Sequence, residues 1–206
     1  MGYFKRLVTP DDEEAFVDGC RELYKQEWEK ALVHLSHAEH IPDGAFLAGM
    51  ASMKLERFEE ACRYLASAAE RSEQLNALLG KYGLTIELNM PITVLVAEYI
   101  RPDKHGALLA LTEANQRLER YDSAVKCLYE LHKNDPDDVV VRLSLVEILM
   151  QQYPSDRAVD RQVVRLCKGI ENESTCNTAR THAIQGSCSQ KGLKCWTLPG
   201  RRSQKR

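Results

Sequence analysis

A chain of 206 residues suits one ordinary domain or a short repeat array. Hydrophobic residues at 44% and charged residues at 28% exclude a disordered chain, and no apolar run approaches the roughly 18–20 residues of a membrane span. The formal charge of −2 hides an asymmetry: residues 171–206 carry seven Lys/Arg against two acids, and the remainder carries 21 basic against 28 acidic residues. A mildly acidic body argues against nucleic acid as a partner.

The first residues lack an apolar core of signal-peptide length and run straight into acids, so the expected location is cytoplasmic, with no membrane partner. Seven cysteines suggest no disulfide framework; Cys20, Cys62, Cys127 and Cys167 fall far apart in helical patterns, as reduced thiols do.

Thr9-Pro10-Asp11-Asp12-Glu13-Glu14 reads as a helix start, with Thr9 as cap, Pro10 at the first helical position and acids opposing the helix dipole. Ala15, Phe16, Gly19, Leu23 and Tyr24 recur at helical spacing to about Lys25. After a short break, Trp28, Ala31, Leu35 and Ala38 mark a second helix with one apolar stripe, which Ile41-Pro42-Asp43 ends, Asp43 being read as the cap of the next. A second hairpin repeats the plan. Phe46, Leu47, Gly49, Met50, Met53 and Leu55 form its first helix, and Phe58, Ala61, Leu65 and Ala68 match the earlier stripe at an offset of 30, as Gly49 matches Gly19.

Ala61 and Ala124 lie 63 residues apart, and the middle does not read as a helical pair. Residues 70–79 are expected to continue the preceding helix and stop at Gly80. Residues 84–88 and 92–100 are β-branched and partly alternating, separated by Asn89-Met90-Pro91, and predict an inserted β-hairpin over about 84–100; the competing reading is a degenerate helix over 93–100. Pro102-Asp103 restarts the helix. Leu111, Leu118, Tyr121, Ala124, Leu128 and Leu131 then follow the hairpin plan to Asn134-Asp135-Pro136, and a fourth unit runs from Asp137-Asp138 through Leu143, Leu145, Ile148, Leu149 and Ala158 to Leu166, with Tyr153-Pro154 disturbing its turn.

The glycines Gly19 and Gly49, the aromatics Trp28, Phe58 and Tyr121, the alanines Ala31, Ala61, Ala124 and Ala158, and Pro136 together resemble the tetratricopeptide repeat, whose period is about 34 residues. The resemblance covers roughly residues 10–71 and 104–169. It implies an all-α, right-handed superhelical solenoid of helix-turn-helix units at about 10–41, 43–80, 104–135 and 137–169 within a repeat domain over 9–170. Beyond about Ile170 the apolar periodicity disappears and Ser, Thr, Gln, Gly, Arg and Cys dominate, so 171–206 reads as a basic, disordered tail. Back-translated one frame over, residues 191–205 can encode a helix resembling the second helix of a further unit, so the tail is read as a possible out-of-frame remnant.

No phosphate-binding glycine loop, Gly-x-Ser-x-Gly or His-Glu-x-x-His motif occurs, so no enzyme activity and no cofactor are expected. His34, His37 and His40 lie three apart but flank core-facing residues, which reads as a solvated face and not a metal site. Cys176, His182, Cys188 and Cys195 are spaced too widely for structural zinc. In such repeats the first helices line a concave groove for a protein or peptide partner. Its expected lining is Phe16, Cys20, Tyr24, Phe46, Met50, Met53, Glu113, Gln116 and Glu147. The alternatives are a self-associating structural module, hence a homo-oligomer, or a regulatory fragment of a larger protein.

Overall fold

The computed structural model describes residues 8–92, 97–153, 157–168 and 170. It divides into two compact units, Met1–Pro136 and Asp137–Arg206.

In the first unit, α1 (Pro10–Tyr24) starts as its sequence requires. Thr9 Oγ1 accepts from the Asp12 amide at 3.3 Å while the Thr9 amide donates to Asp12 Oδ2 at 2.9 Å, a reciprocal capping box with Pro10 at the first position. Helix α2 (Trp28–His37) folds back on α1, and α3 (Pro42–Lys54) and α4 (Phe58–Glu70) repeat the hairpin. The aromatics Trp28, Phe58 and Tyr121 each open the second helix of a pair, half-buried, and the alanines three residues on, Ala31, Ala61 and Ala124, are fully buried.

The 30-residue offset has a steric meaning. A Cβ placed on Gly19 would lie 2.6 Å from Leu35 Cγ, and one on Gly49 would lie 2.6 Å from Leu65 Cγ. The same leucine of the second helix seats against the same glycine of the first in both hairpins, and only a missing side chain lets the backbones come that close. The position 63 residues beyond Gly49 is Thr112, whose hydroxyl is turned back to donate to Leu108 O at 2.8 Å.

The turns repeat too. Gln26, Glu56 and Glu119 hold φ of 62°, 58° and 57°, and each follows the first helix of a hairpin. The amides of Gln26 and Glu27 donate to Leu23 O and Glu22 O; Glu56 and Arg57 donate to Met53 O and Ser52 O; Glu119 and Arg120 donate to Gln116 O and Asn115 O. These are three Schellman closures at one register, in which a non-glycine residue takes the left-handed position.

Between α4 and the third pair the chain makes an excursion. The helix expected over 70–79 breaks at Arg71 into a 3-10 turn (Ser72–Gln74) and a short α5 (Ala77–Lys81), with Asn76 at φ 64°. Strands β1 (Leu88–Pro91) and β2 (Ala97–Ile100) then pair antiparallel, Leu88 opposite Ile100 and Pro91 opposite Ala97. The hairpin is present, but Asn89-Met90-Pro91 lies within a strand and is not its turn. Proline is tolerated at the end of an edge strand because no ladder donor is needed there. Asp103 caps α6 (Lys104–Arg117) through the Gly106 amide at 2.7 Å. Helix α6 packs on α4, and α7 (Tyr121–Asn134) packs on α6, so the excursion interrupts the sequence but not the side-by-side order of the hairpins.

Asp43 does not cap α3. It lies inside that helix, fully buried, and accepts from the amides of Leu78 at 2.7 Å and Leu79 at 3.0 Å as well as from Asn76. It therefore satisfies the free amides at the start of α5, 33 and more residues away. Arg71 makes a second tie, donating to Ser67 Oγ at 2.6 Å and to the carbonyls of Glu39 and His40. Lys81 Nζ and Tyr82 Oη both donate to Glu13 Oε2 at 2.6 Å and hold that carboxyl below its usual range.

The second unit is a hairpin of α8 (Val139–Gln152) and α9 (Arg157–Cys167). Asp138 caps α8 through the Val141 amide at 3.0 Å. Tyr153 caps the end of α8 at φ −125°; the turn expected to be disturbed at Tyr153-Pro154 continues into residues 154–156, which lie outside the described residues. Buried Arg142 donates from Nε to Leu166 O at 2.8 Å and from a second nitrogen to Lys168 O, satisfying carbonyls at the end of α9. The tail from 171 onward, with Cys176, His182, Cys188 and Cys195, lies outside the described residues.

Candidate functional site

An open pocket of about 460 Å³ lies in the first unit between the last turns of α1, the start of α2 and residues 84–88. The hairpin plan builds one wall. Helical spacing brings Val17, Cys20 and Tyr24 to one side of α1, and the left-handed turn at Gln26 returns the chain so that Trp28 stands beside them. Leu23 and Arg21 complete this wall. The other wall is the segment Leu84, Thr85, Ile86, Glu87 and Leu88 that leads into β1, and the Glu13 contacts of Lys81 and Tyr82 fasten the chain before it to α1.

Most of the lining is apolar. Its two charges face other partners: Arg21 bonds Asp18 on the same helix, and Glu87 accepts from Arg101 Nε at 2.8 Å. Tyr24 is 92% exposed, which makes it the most open large hydrophobic side chain among the described residues. Cys20 is nearly closed off, and burial, reinforced by Asp43, pushes its thiol up to about 12. It packs as a neutral group and offers no thiolate at neutral pH.

The expected groove residues divide into separate sets. Phe16, Phe46 and Met50 are fully buried, and Met53 nearly so, which corrects their expected place on an open surface. Every residue of α3 from Pro42 to Met53 is buried, so that helix has no outward face to present. Glu113 is also buried, with Arg117 Nε at 2.6 Å. Gln116 is half-buried, and its Nε2 donates to Ile92 O at 2.5 Å, joining α6 to the β-hairpin. Glu147 is half-buried on α8, in the second unit. Tyr24 and Cys20 alone of the nine line the pocket. Sequence periodicity did not identify the far wall, because 84–88 meets α1 only through the tertiary contacts of α5.

His34, His37 and His40 do not converge. His37 is exposed, while His40 turns inward, its Nε2 3.2 Å from Asp12 Oδ2, which corrects the expectation that all three face solvent. Among the described residues no three His, Cys, Asp or Glu side chains gather as metal ligands, and no helix is long and apolar enough to cross a membrane.

No family model matches the chain, and no curated protein matches it. A solved structure described as "MamA RS-1 ArsTM double mutant" aligns over 90% of this chain and 97% of its own, at 11% identity and a TM-score of 0.46, a likeness too loose to carry an assignment.

Proposed function

We propose that the chain is a non-catalytic protein-interaction module, a tetratricopeptide-like array of helical hairpins that holds a protein or peptide partner. The observation that carries this reading is the apolar pocket beside Tyr24. A 92% exposed tyrosine at the mouth of a pocket walled by Leu23, Trp28, Leu84 and Ile86 is surface that water covers poorly, and tyrosine and tryptophan are favoured anchors at interfaces. The contact set differs from the one that repeat register alone suggests: Phe16, Phe46 and Met50 hold the hairpins together, and Tyr24 faces outward.

The test compares affinity capture by the full chain and by Tyr24→Asp, with partners identified by mass spectrometry and the oligomeric state by sedimentation. Tyr24 contributes almost nothing to the core, so the variant should melt as the parent does. A partner recovered by the parent and lost from the variant supports the reading. Equal recovery by both, or none by either, removes it; a dimer dissolved by the substitution points to self-association instead.

A further inference from the structure

We infer that α5 and the β1–β2 hairpin form a lid over the face that the first helices α1, α3 and α6 share, and that this lid opens as a unit while the hairpins stay folded. On the interaction-module reading, on which this role depends, the lid is an autoinhibitory contact that keeps a second, apolar contact surface covered until it lifts.

Helix α3 lies beside both α1 and α6, so the first helices of the three hairpins form one row. The excursion between α4 and α6 returns onto this row at every helix. The 3-10 turn and α5 pack on α3, and β2 packs on α6. Glu13 of α1 and Asp43 of α3 stand 30 residues apart, at equivalent positions of the first two hairpins, and they hold opposite ends of α5. Asp43 receives the amides of Leu78 and Leu79 at its start, and Glu13 receives Lys81 Nζ and Tyr82 Oη at its end. On α6, Gln116 Nε2 donates to Ile92 O just past β1. Leu79, Met90, Ile92 and Ile100 are buried as a result. The lid also accounts for the all-round burial of α3, which α2 and α4 flank and α5 covers.

The lid can part from the array without unmaking it. A five-residue helix and two four-residue strands hold no structure alone, so their order comes from the row beneath them and is lost together. Its two ends are pinned: Arg71 donates to the carbonyls of Glu39 and His40, and Asp103 caps α6. Helix α4 packs directly on α6, so lifting the lid leaves the hairpins side by side. Opening also strands no polar group, because water reaches Asp43 as its amides leave, and the Glu13–Lys81 pair already lies at the surface.

The test follows amide exchange of the full chain through low denaturant, with anilinonaphthalene sulfonate as the probe of apolar surface. Leu78, Leu79, Leu84 and the amides of the β1–β2 ladder should share one opening, with a smaller denaturant dependence than α2, α4 and α7. Glu13→Lys and Lys81→Glu each set like charges together. Both should speed the shared exchange about threefold or more and raise dye fluorescence, with α4 and α7 protected as in the parent. The two variants change net charge in opposite directions, so a rise in both reports apolar surface and not attraction of the dye. Combining them restores an opposite pair and should return both readouts toward the parent. Lid amides that exchange only together with α4 and α7 make the excursion part of the core and overturn the lid. Faster lid exchange with no gain in dye fluorescence also overturns it, because nothing apolar is then uncovered. Neither readout uses a partner, so either failure leaves the interaction-module reading to the Tyr24→Asp comparison.

Discussion

Asp43 shows how far one side chain can act from its place in the sequence. Its position after Ile41-Pro42 suits a cap for α3, yet its carboxylate lies buried in the interior and receives the amides that open α5. Asp43→Asn keeps the shape but sets an amide nitrogen against those donors, and should cost about 1–3 kcal/mol in denaturant unfolding, with faster hydrogen exchange at Leu78 and Leu79. Unchanged exchange there would show that α5 holds itself. Cys20 shares this interior, and its behaviour is a matter of pH. The folded chain keeps the thiol proton up to about 12, while the unfolded thiol releases it near its ordinary value of 9.0. The folded state then binds more protons than the unfolded one, so the contribution is complete below pH 9 and is lost as pH climbs toward 12. The melting temperature should fall across that window, and Cys20→Ala should flatten the fall; an identical slope in the variant would assign the loss to other groups. The sequence suggested Asp43 as a helix cap and Cys20 as a reduced thiol lining a groove, and no local pattern names a partner 33 residues beyond Asp43.

At the scale of elements, the hairpins were legible because their packing repeats. Gly19 with Leu35 and Gly49 with Leu65 make the same contact, so one offset exposes it twice. Gly49→Ala would press a methyl group onto Leu65 and should cost about 1–3 kcal/mol, and Leu65→Ala alone about 2–5 kcal/mol. The double variant should cost clearly less than their sum, because the new methyl occupies space that the leucine vacates. Strict additivity in denaturant titrations would mean that the two side chains do not meet. The groove was less legible, for a related reason. Amphipathic periodicity locates an open face only when a helix has a polar one, and α3 is buried all round, so nothing in its sequence separates Phe46 and Met50 from surface positions. The β-hairpin was visible in its β-branched residues, but the register was not, since Pro91 looks like a turn residue wherever it stands.

Across the whole molecule, the two units have separate means of closure. Arg142 ties α8 to the end of α9 within the second unit. Arg142→Met preserves the aliphatic stem and removes the donors, and should cost that unit about 1–3 kcal/mol. Exchange protection should drop in α8 and α9 and hold in α1–α7; a loss spread over both units would show that they unfold as one. In the first unit, the three left-handed turns at Gln26, Glu56 and Glu119 fix the length of every hairpin, while the connection from α4 to α6 is free to vary. That freedom bears on engineering. A shortened chain that joins α4 to α6 directly would keep all three turns in register, but it would strip Asp43 of its amide donors and strand a carboxylate in the interior. An excision that spares the Arg71 tie and the Asp103 cap, residues 72–102, therefore calls for an apolar residue in place of Asp43 as well.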